Sequence, residues 1–151
     1  MEKKQELVTH SAGETEEAGQ RFGKNLKAGD IGLLTGELGA GKTTFVLGVS
    51  KALEVKSRVI SPTFVLVRKH KGKVGDRKIN LYHIDLYRLE DTREIKNIGL
   101  DDIFSDESGI FLIEWGEKHE NLKANWGISF EVLNNDERKI TIENHASTPG
   151  L

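Results

Sequence analysis

The run Gly36-Glu37-Leu38-Gly39-Ala40-Gly41-Lys42-Thr43 satisfies the pattern G-x-x-x-x-G-K-[ST] at every position, and it restricts the fold more than any other stretch of the chain. A loop of this composition works where a strand hands over to a helix. There the backbone curls so that its N–H groups converge on phosphate oxygens, and the positive end of the helix adds to their pull. Both flanks comply: Ile31-Gly32-Leu33-Leu34-Thr35 is a short apolar run suited to a doubly covered strand, and Phe45, Val46, Val49 and Leu53 then recur at helical spacing. Gly36, Gly39 and Gly41 permit the curl, Lys42 can reach terminal phosphates, and Thr43 supplies the hydroxyl expected on Mg2+. Gly36 to Thr44 is therefore read as a nucleotide-binding loop, in preference to a glycine turn with an exposed lysine.

Such a loop needs an acid at the end of a neighbouring strand, because Mg2+ is a hard cation that takes oxygen ligands. Gly109-Ile110-Phe111-Leu112-Ile113-Glu114 delivers one, four apolar residues ending on Glu114, the expected metal-side carboxylate. His83-Ile84-Asp85-Leu86-Tyr87-Arg88 is a second cluster, with His83 and Asp85 on one face of a strand by the two-residue period. Spacing alone leaves Asp85 open to two readings: a group that orients or deprotonates an attacking water, or a cap or salt-bridge partner. His83 reads as a hydrogen-bonded structural histidine rather than a base, and Arg88 as a partner of Asp85 or Glu90 rather than an arginine finger. Ser61-Pro62-Thr63-Phe64 sits where a loop sensing the last phosphate is expected, with the Thr63 hydroxyl suited to it; a plain turn is the simpler reading. Trp115 is read equally as core and as a seal over a nucleotide pocket.

Charge and composition narrow the classes. With 22 Lys+Arg against 24 Asp+Glu the net charge is -2, so no global basic excess would hold nucleic acid unaided or draw the chain to an anionic membrane. Apolar stretches such as Ile110 to Ile113 fall far short of the roughly 20 residues that span a bilayer. The absence of cysteine excludes disulfides, thiolate zinc sites and a cysteine nucleophile, and it fits a reducing compartment. With the polar start Met1-Glu2-Lys3-Lys4-Gln5-Glu6, the cytoplasm is the expected location. The length fits one domain, residues 1–151, and no linker or repeat divides it.

Along the chain, Gln5 to Thr9 is expected as a first strand, and Ser11-Ala12-Gly13-Glu14 has the spacing of a reciprocal helix cap. Ala18, Phe22 and Leu26 would form the buried face of that helix, with Gly13, Gly19 and Gly23 as points of close approach. Val59-Ile60 suggests a second parallel strand. Phe64 to Arg68 and Ile79 to Asp85 look like antiparallel strands joined by a long polar hairpin loop, Lys69 to Lys78. Thr92 to Ile98 reads as a short helix stopped by Gly99, and Ile128 to Leu133 with Lys139 to Asn144 as a final hairpin. The fold class expected is α/β, a single P-loop NTPase-like domain with a mixed parallel/antiparallel sheet flanked by helices.

In order and spacing, Gly36-Glu37-Leu38-Gly39-Ala40-Gly41-Lys42-Thr43-Thr44-Phe45, Ser61-Pro62-Thr63-Phe64, His83-Ile84-Asp85-Leu86-Tyr87-Arg88-Leu89 and Ile113-Glu114-Trp115 closely resemble the TsaE (YjeE) family over about residues 5 to 145. Many ATPases and GTPases share the glycine loop; the H-x-D-x-Y-R and E-W pieces make the resemblance specific. It implies a small bacterial ATPase that assists TsaB and TsaD in making threonylcarbamoyladenosine on tRNA, with ATP and Mg2+ as cofactors and tRNA as an indirect or weak partner. It implies that Lys42, Asp85 and Thr63 are catalytic, that Thr43 and Glu114 form the Mg2+ side, and that adenine lies near Ser11, with Trp115 and Glu117 close to the nucleotide. Two departures stand out: Gly116, where many members have proline, and a Lys69 to Lys78 segment that is longer and more basic than in many. That segment reads as a solvated charge run rather than a partner or tRNA surface. A small-molecule kinase and a regulatory GTP switch are the alternatives. The first lacks a recognisable lid and acceptor pocket, the second an Asn-Lys-x-Asp guanine-reading motif.

Overall fold

Apolar runs that do not alternate mark the middle of the molecule. In the computed structural model, which describes residues 3–37, 39–56, 67–86, 100–114 and 124–145, the strand Gly109–Glu114 is buried at all six positions. That burial requires cover on both faces. The strands are β1 (Lys3–Thr9), β2 (Ile31–Thr35), β3 (Val67–Val74), β4 (Arg77–Asp85), β5 (Gly109–Glu114), β6 (Trp126–Val132) and β7 (Arg138–Asn144). They form one sheet in the order β1-β7-β6-β2-β5-β4-β3. β6, β2, β5 and β4 run parallel, while β7 pairs antiparallel with β6 and β1, and β3 antiparallel with β4. The mixed α/β architecture expected from the sequence is thus present.

Helices α1 (Ala12–Gly23) and α2 (Lys42–Ala52) cover one face, packing Phe22, Phe45 and Val49 with Leu34, Leu112 and Phe130. On the other face Ile103 and Phe104 of α3 (Leu100–Phe104) pack against Tyr82, Ile84, Phe111 and Ile113. No helix among the described residues is long and apolar enough to cross a membrane. The Ser11 hydroxyl accepts from the Glu14 N–H at 3.1 Å, as the cap spacing foretells, but the Glu14 carboxylate accepts from His10 N–H at 2.9 Å, one residue earlier than a reciprocal cap requires. α1 stops at Gly23, so Leu26 is buried beyond the helix rather than on its face.

Two glycines set the distance between α1 and α2. A Cβ on Gly19 would lie 2.0 Å from the Phe45 carbonyl oxygen, and one on Gly48 would lie 1.9 Å from that of Glu16. The helices therefore touch backbone to backbone. Gly23 is also crowded, against Ala52, whereas Gly13 meets only Ser11 Oγ at 3.7 Å and is no point of close approach.

The Lys69 to Lys78 segment is not a long loop. β3 and β4 run through it, pairing from Val67↔Ile84 to Val74↔Arg77, and the turn is only Gly75-Asp76. Gly75 takes φ 59°, as a two-residue hairpin with glycine first demands. Along β3 the exposed Lys69, Lys71 and Lys73 alternate with buried His70 and Gly72, which suits an edge strand that must not pair with another chain. Val59-Ile60 and Thr92 to Ile98 lie outside the described residues.

Burial, with the charges of His83 and Arg68 nearby, pushes His70 below the ordinary histidine value of 6.5. The unfolded chain then binds more protons than the fold just below that value. The contribution of His70 to stability is thus complete above pH 6.5 and is lost as pH falls toward the lowered folded value. Urea titrations at about pH 7.5 and about pH 5.5 should show a loss of stability that His70→Gln reduces; equal losses in both proteins would remove His70 from the effect. Gly48→Ala should cost about 3 kcal/mol or more by forcing α1 off α2, whereas Gly13→Ala should be neutral or gain up to about 1 kcal/mol. Equal midpoints for the two variants would show that the helices yield freely.

Candidate functional site

The loop that leaves β2 begins at Gly36 with φ 146°, and Gly39 and Gly41 follow at 81° and 102°. Side chains resist these angles. Gly36 is hemmed in as well, since a Cβ there would lie 2.8 Å from the Phe130 carbonyl oxygen on β6. Gly41 is the N-cap of α2 and makes no side-chain cap, which leaves the first N–H groups of the helix suited to an anion. Lys42 is buried at 4% exposure and its Nζ donates to the Gly36 carbonyl oxygen at 2.5 Å, so the ammonium is held across the loop. Thr43 and Thr44, next on α2, are half-buried.

Parallel pairing decides what stands beside the loop. Leu34 pairs with Glu114, and Glu114 with Asp85. Both carboxylates therefore sit at the end of the sheet where Gly36 begins. Glu114 is 5% exposed, and a carboxylate so buried needs compensation. His83 provides it from β4, its Nε2 lying 2.5 Å from Glu114 Oε2. With Glu114 ionised, Nε2–H is the donor; Nδ1 has no hydrogen-bond partner among the described residues. The reading of His83 as a hydrogen-bonded histidine holds, and its partner is the expected metal-side acid. Asp85, half-buried, follows on the same face. Leu38, Thr63, Arg88, Trp115, Gly116 and Glu117 lie outside the described residues.

Ser11 joins this neighbourhood. A cavity of about 170 Å³ is lined by Ser11 and Thr15 of the α1 start, Gly39, Gly41 and Thr44 of the loop and α2, and the β6–β7 turn. The turn contributes residues that no motif announced. Arg138 donates from Nη2 to the Gly39 carbonyl oxygen at 3.3 Å, and His10 Nδ1 lies 2.7 Å from the Glu137 carboxylate. The Asn134 amide and His10 together hold Glu137 below the usual carboxylate range. Ser11, Gly39, Gly41 and Thr44 thus share one cavity, which Arg138 also lines.

Comparison with known proteins agrees with this geometry. The family model described as threonylcarbamoyl adenosine biosynthesis protein TsaE matches residues 9–142. This chain belongs to the TsaE family. Among its relatives, a TsaE of Aquifex aeolicus is 36% identical over 144 residues, 94% of this chain and 98% of that one. A TsaE of Treponema pallidum is 35% identical over 89% of this chain and 97% of its own length, and one from Streptomyces coelicolor is 45% identical over 67% of this chain and 66% of its own. Each is named as a tRNA threonylcarbamoyladenosine biosynthesis protein. The crystal structure of Bacillus subtilis YdiB is similar with a TM-score of 0.76 at 29% identity, over 95% of this chain and 87% of that one. The family is thus one of tRNA threonylcarbamoyladenosine biosynthesis, on a nucleotide-binding α/β fold.

Within this TsaE chain the His83–Glu114 bond gives a stability test. His83→Ala strands a buried carboxylate and should cost about 3 kcal/mol or more, while His83→Leu with Glu114→Leu should recover most of that loss. Urea unfolding of the three proteins reads the outcome. A single variant as stable as the parent would mean that Glu114 is compensated from elsewhere.

Proposed function

We propose that this protein is a Mg2+-dependent ATPase, slow when alone, that serves TsaB and TsaD in forming threonylcarbamoyladenosine on tRNA, as a single cytoplasmic domain. The observation that carries the reading is the register Leu34↔Glu114↔Asp85, which sets two carboxylates beside a lysine-bearing phosphate loop. The oxygens of Thr43 and Glu114 are the hard donors that suit Mg2+, an ion that takes few protein ligands and keeps waters and phosphate oxygens. When bound, it would supply positive charge against the phosphate oxygens. The protein's own groups do the rest. Loop amides and the α2 start cradle the phosphates, Lys42 places its ammonium against the transferred phosphoryl group, and Asp85 orients the water. His83 keeps Glu114 aimed. Adenine is assigned to the Ser11 cavity, with Thr63, Trp115 and Glu117 completing the site as the family resemblance implies.

Calorimetry with ATP and GTP separates this reading from a GTP switch, which would favour GTP. Lys42→Ala should weaken ATP binding and abolish turnover. Asp85→Ala should still bind ATP while turnover falls by about two to four decades, and Thr43→Ala should raise the Mg2+ concentration required. Binding and turnover that fall together in Asp85→Ala would make that residue structural. Multiple-turnover modification of tRNA by TsaB and TsaD plus threonylcarbamoyl-adenylate tests the partner role. Equal yields with and without this protein, and no partner effect on hydrolysis, would overturn it.

A further inference from the structure

Among the described residues, a cluster of like charge lies away from the nucleotide loop. A cavity of about 700 Å³ at the β3 edge is lined by Lys56 after α2, by Lys69, Lys71 and Lys73 of β3, and by Lys78 of β4, with Glu54 as its one acid. All five lysines are exposed, and none makes an ion pair among the described residues. Elsewhere Lys4, Lys27, Lys51 and Lys139 each reach a carboxylate. On a chain of net charge -2 this is a strong local reversal of sign.

Edge protection accounts for lysines along β3. It does not account for Lys56 and Lys78, which come from other segments and turn a charged edge into a charged hollow. Nor does it account for the hollow's shape, which Lys73 N–H helps to fix by donating to the Leu53 carbonyl oxygen at 2.6 Å. His70, also on the wall, is held toward its neutral form, so the charge comes from the lysines.

We propose that this hollow binds the phosphate backbone of RNA. Lysine ammoniums are point charges on flexible stems, which follow a run of phosphates without fixing a base sequence. The occupant is RNA because the relatives of this chain are named for tRNA threonylcarbamoyladenosine biosynthesis and the hollow carries the charge that a phosphate backbone complements. The site is separate from the nucleotide loop: Asn80 and Ser108 on its wall stand at the start of β4 and β5, whereas Asp85 and Glu114 end those strands. Five residues of strand place the two about 16 Å apart.

Anisotropy of labelled, unmodified tRNA is the test, titrated with full-length protein from about 50 mM to about 200 mM salt. The parent should bind with an affinity that falls steeply as salt rises. Lys69→Ala with Lys71→Ala and Lys78→Ala should weaken binding about tenfold and flatten the salt slope by about two units, at roughly 0.7 per phosphate contact. The same three positions as arginine should retain binding, and Lys4→Ala with Lys139→Ala should change it little. ATP affinity and circular dichroism, unchanged throughout, show that each variant is folded. No binding by the parent at low salt, equal binding by the triple alanine variant, or an equal loss in the distant pair overturns the proposal. So does parental binding of polyglutamate but not tRNA, which would assign the hollow to an acidic protein.

Discussion

A carboxylate buried at the end of an otherwise apolar strand cannot stand unless its lost hydration is replaced. The bond from His83 to Glu114 meets that requirement in this protein, and it ties β4 to β5 where both reach the phosphate loop. Because β5 also pairs with β2, the same bond bears on how Asp85 stands relative to Gly36. A slip of one residue between β4 and β5 would turn His83 to the opposite face and bring Ile84 toward the carboxylate. The register of the sheet and the chemistry at its end are therefore one constraint.

Local patterns reveal some of this and hide the rest. The glycine loop, α2 and β5 are legible because each is complete within a few consecutive residues: a full motif, a helical stripe, an unbroken apolar run. The antiparallel pairing of β3 with β4 was legible, but the course of β3 beyond Arg68 was hidden because its inward positions are His70 and Gly72, so the alternation that marks a strand does not show in an apolar scale. Leu26 continued a helical spacing that the backbone had already abandoned at Gly23. Arg138 had no local signature at all. It reaches Gly39 only because β6 lies beside β2, a pairing between segments nearly a hundred residues apart.

The two anion-directed regions are built from different materials. At the P-loop, donors belong chiefly to the backbone and to one buried lysine, so their positions are set by the fold. At the β3 edge the donors are five exposed side chains, whose positions are not. The first arrangement selects a ligand by shape and spacing; the second responds to charge density and is sensitive to salt.

The meeting of Gly19 and Gly48 with the opposing helix backbones bears on the cavity beside Ser11. Side chains at a helix contact can change rotamer and let the helices separate by degrees. Two backbones have no such intermediate settings, so α1 and α2 move as one body or part altogether. Ser11 caps the first helix and Thr44 lies on the second, so the same backbone contact helps to set the spacing of these two residues. Opposite them the β6–β7 connection reaches the loop through the long Arg138 side chain, a contact of side chain with backbone rather than of two backbones.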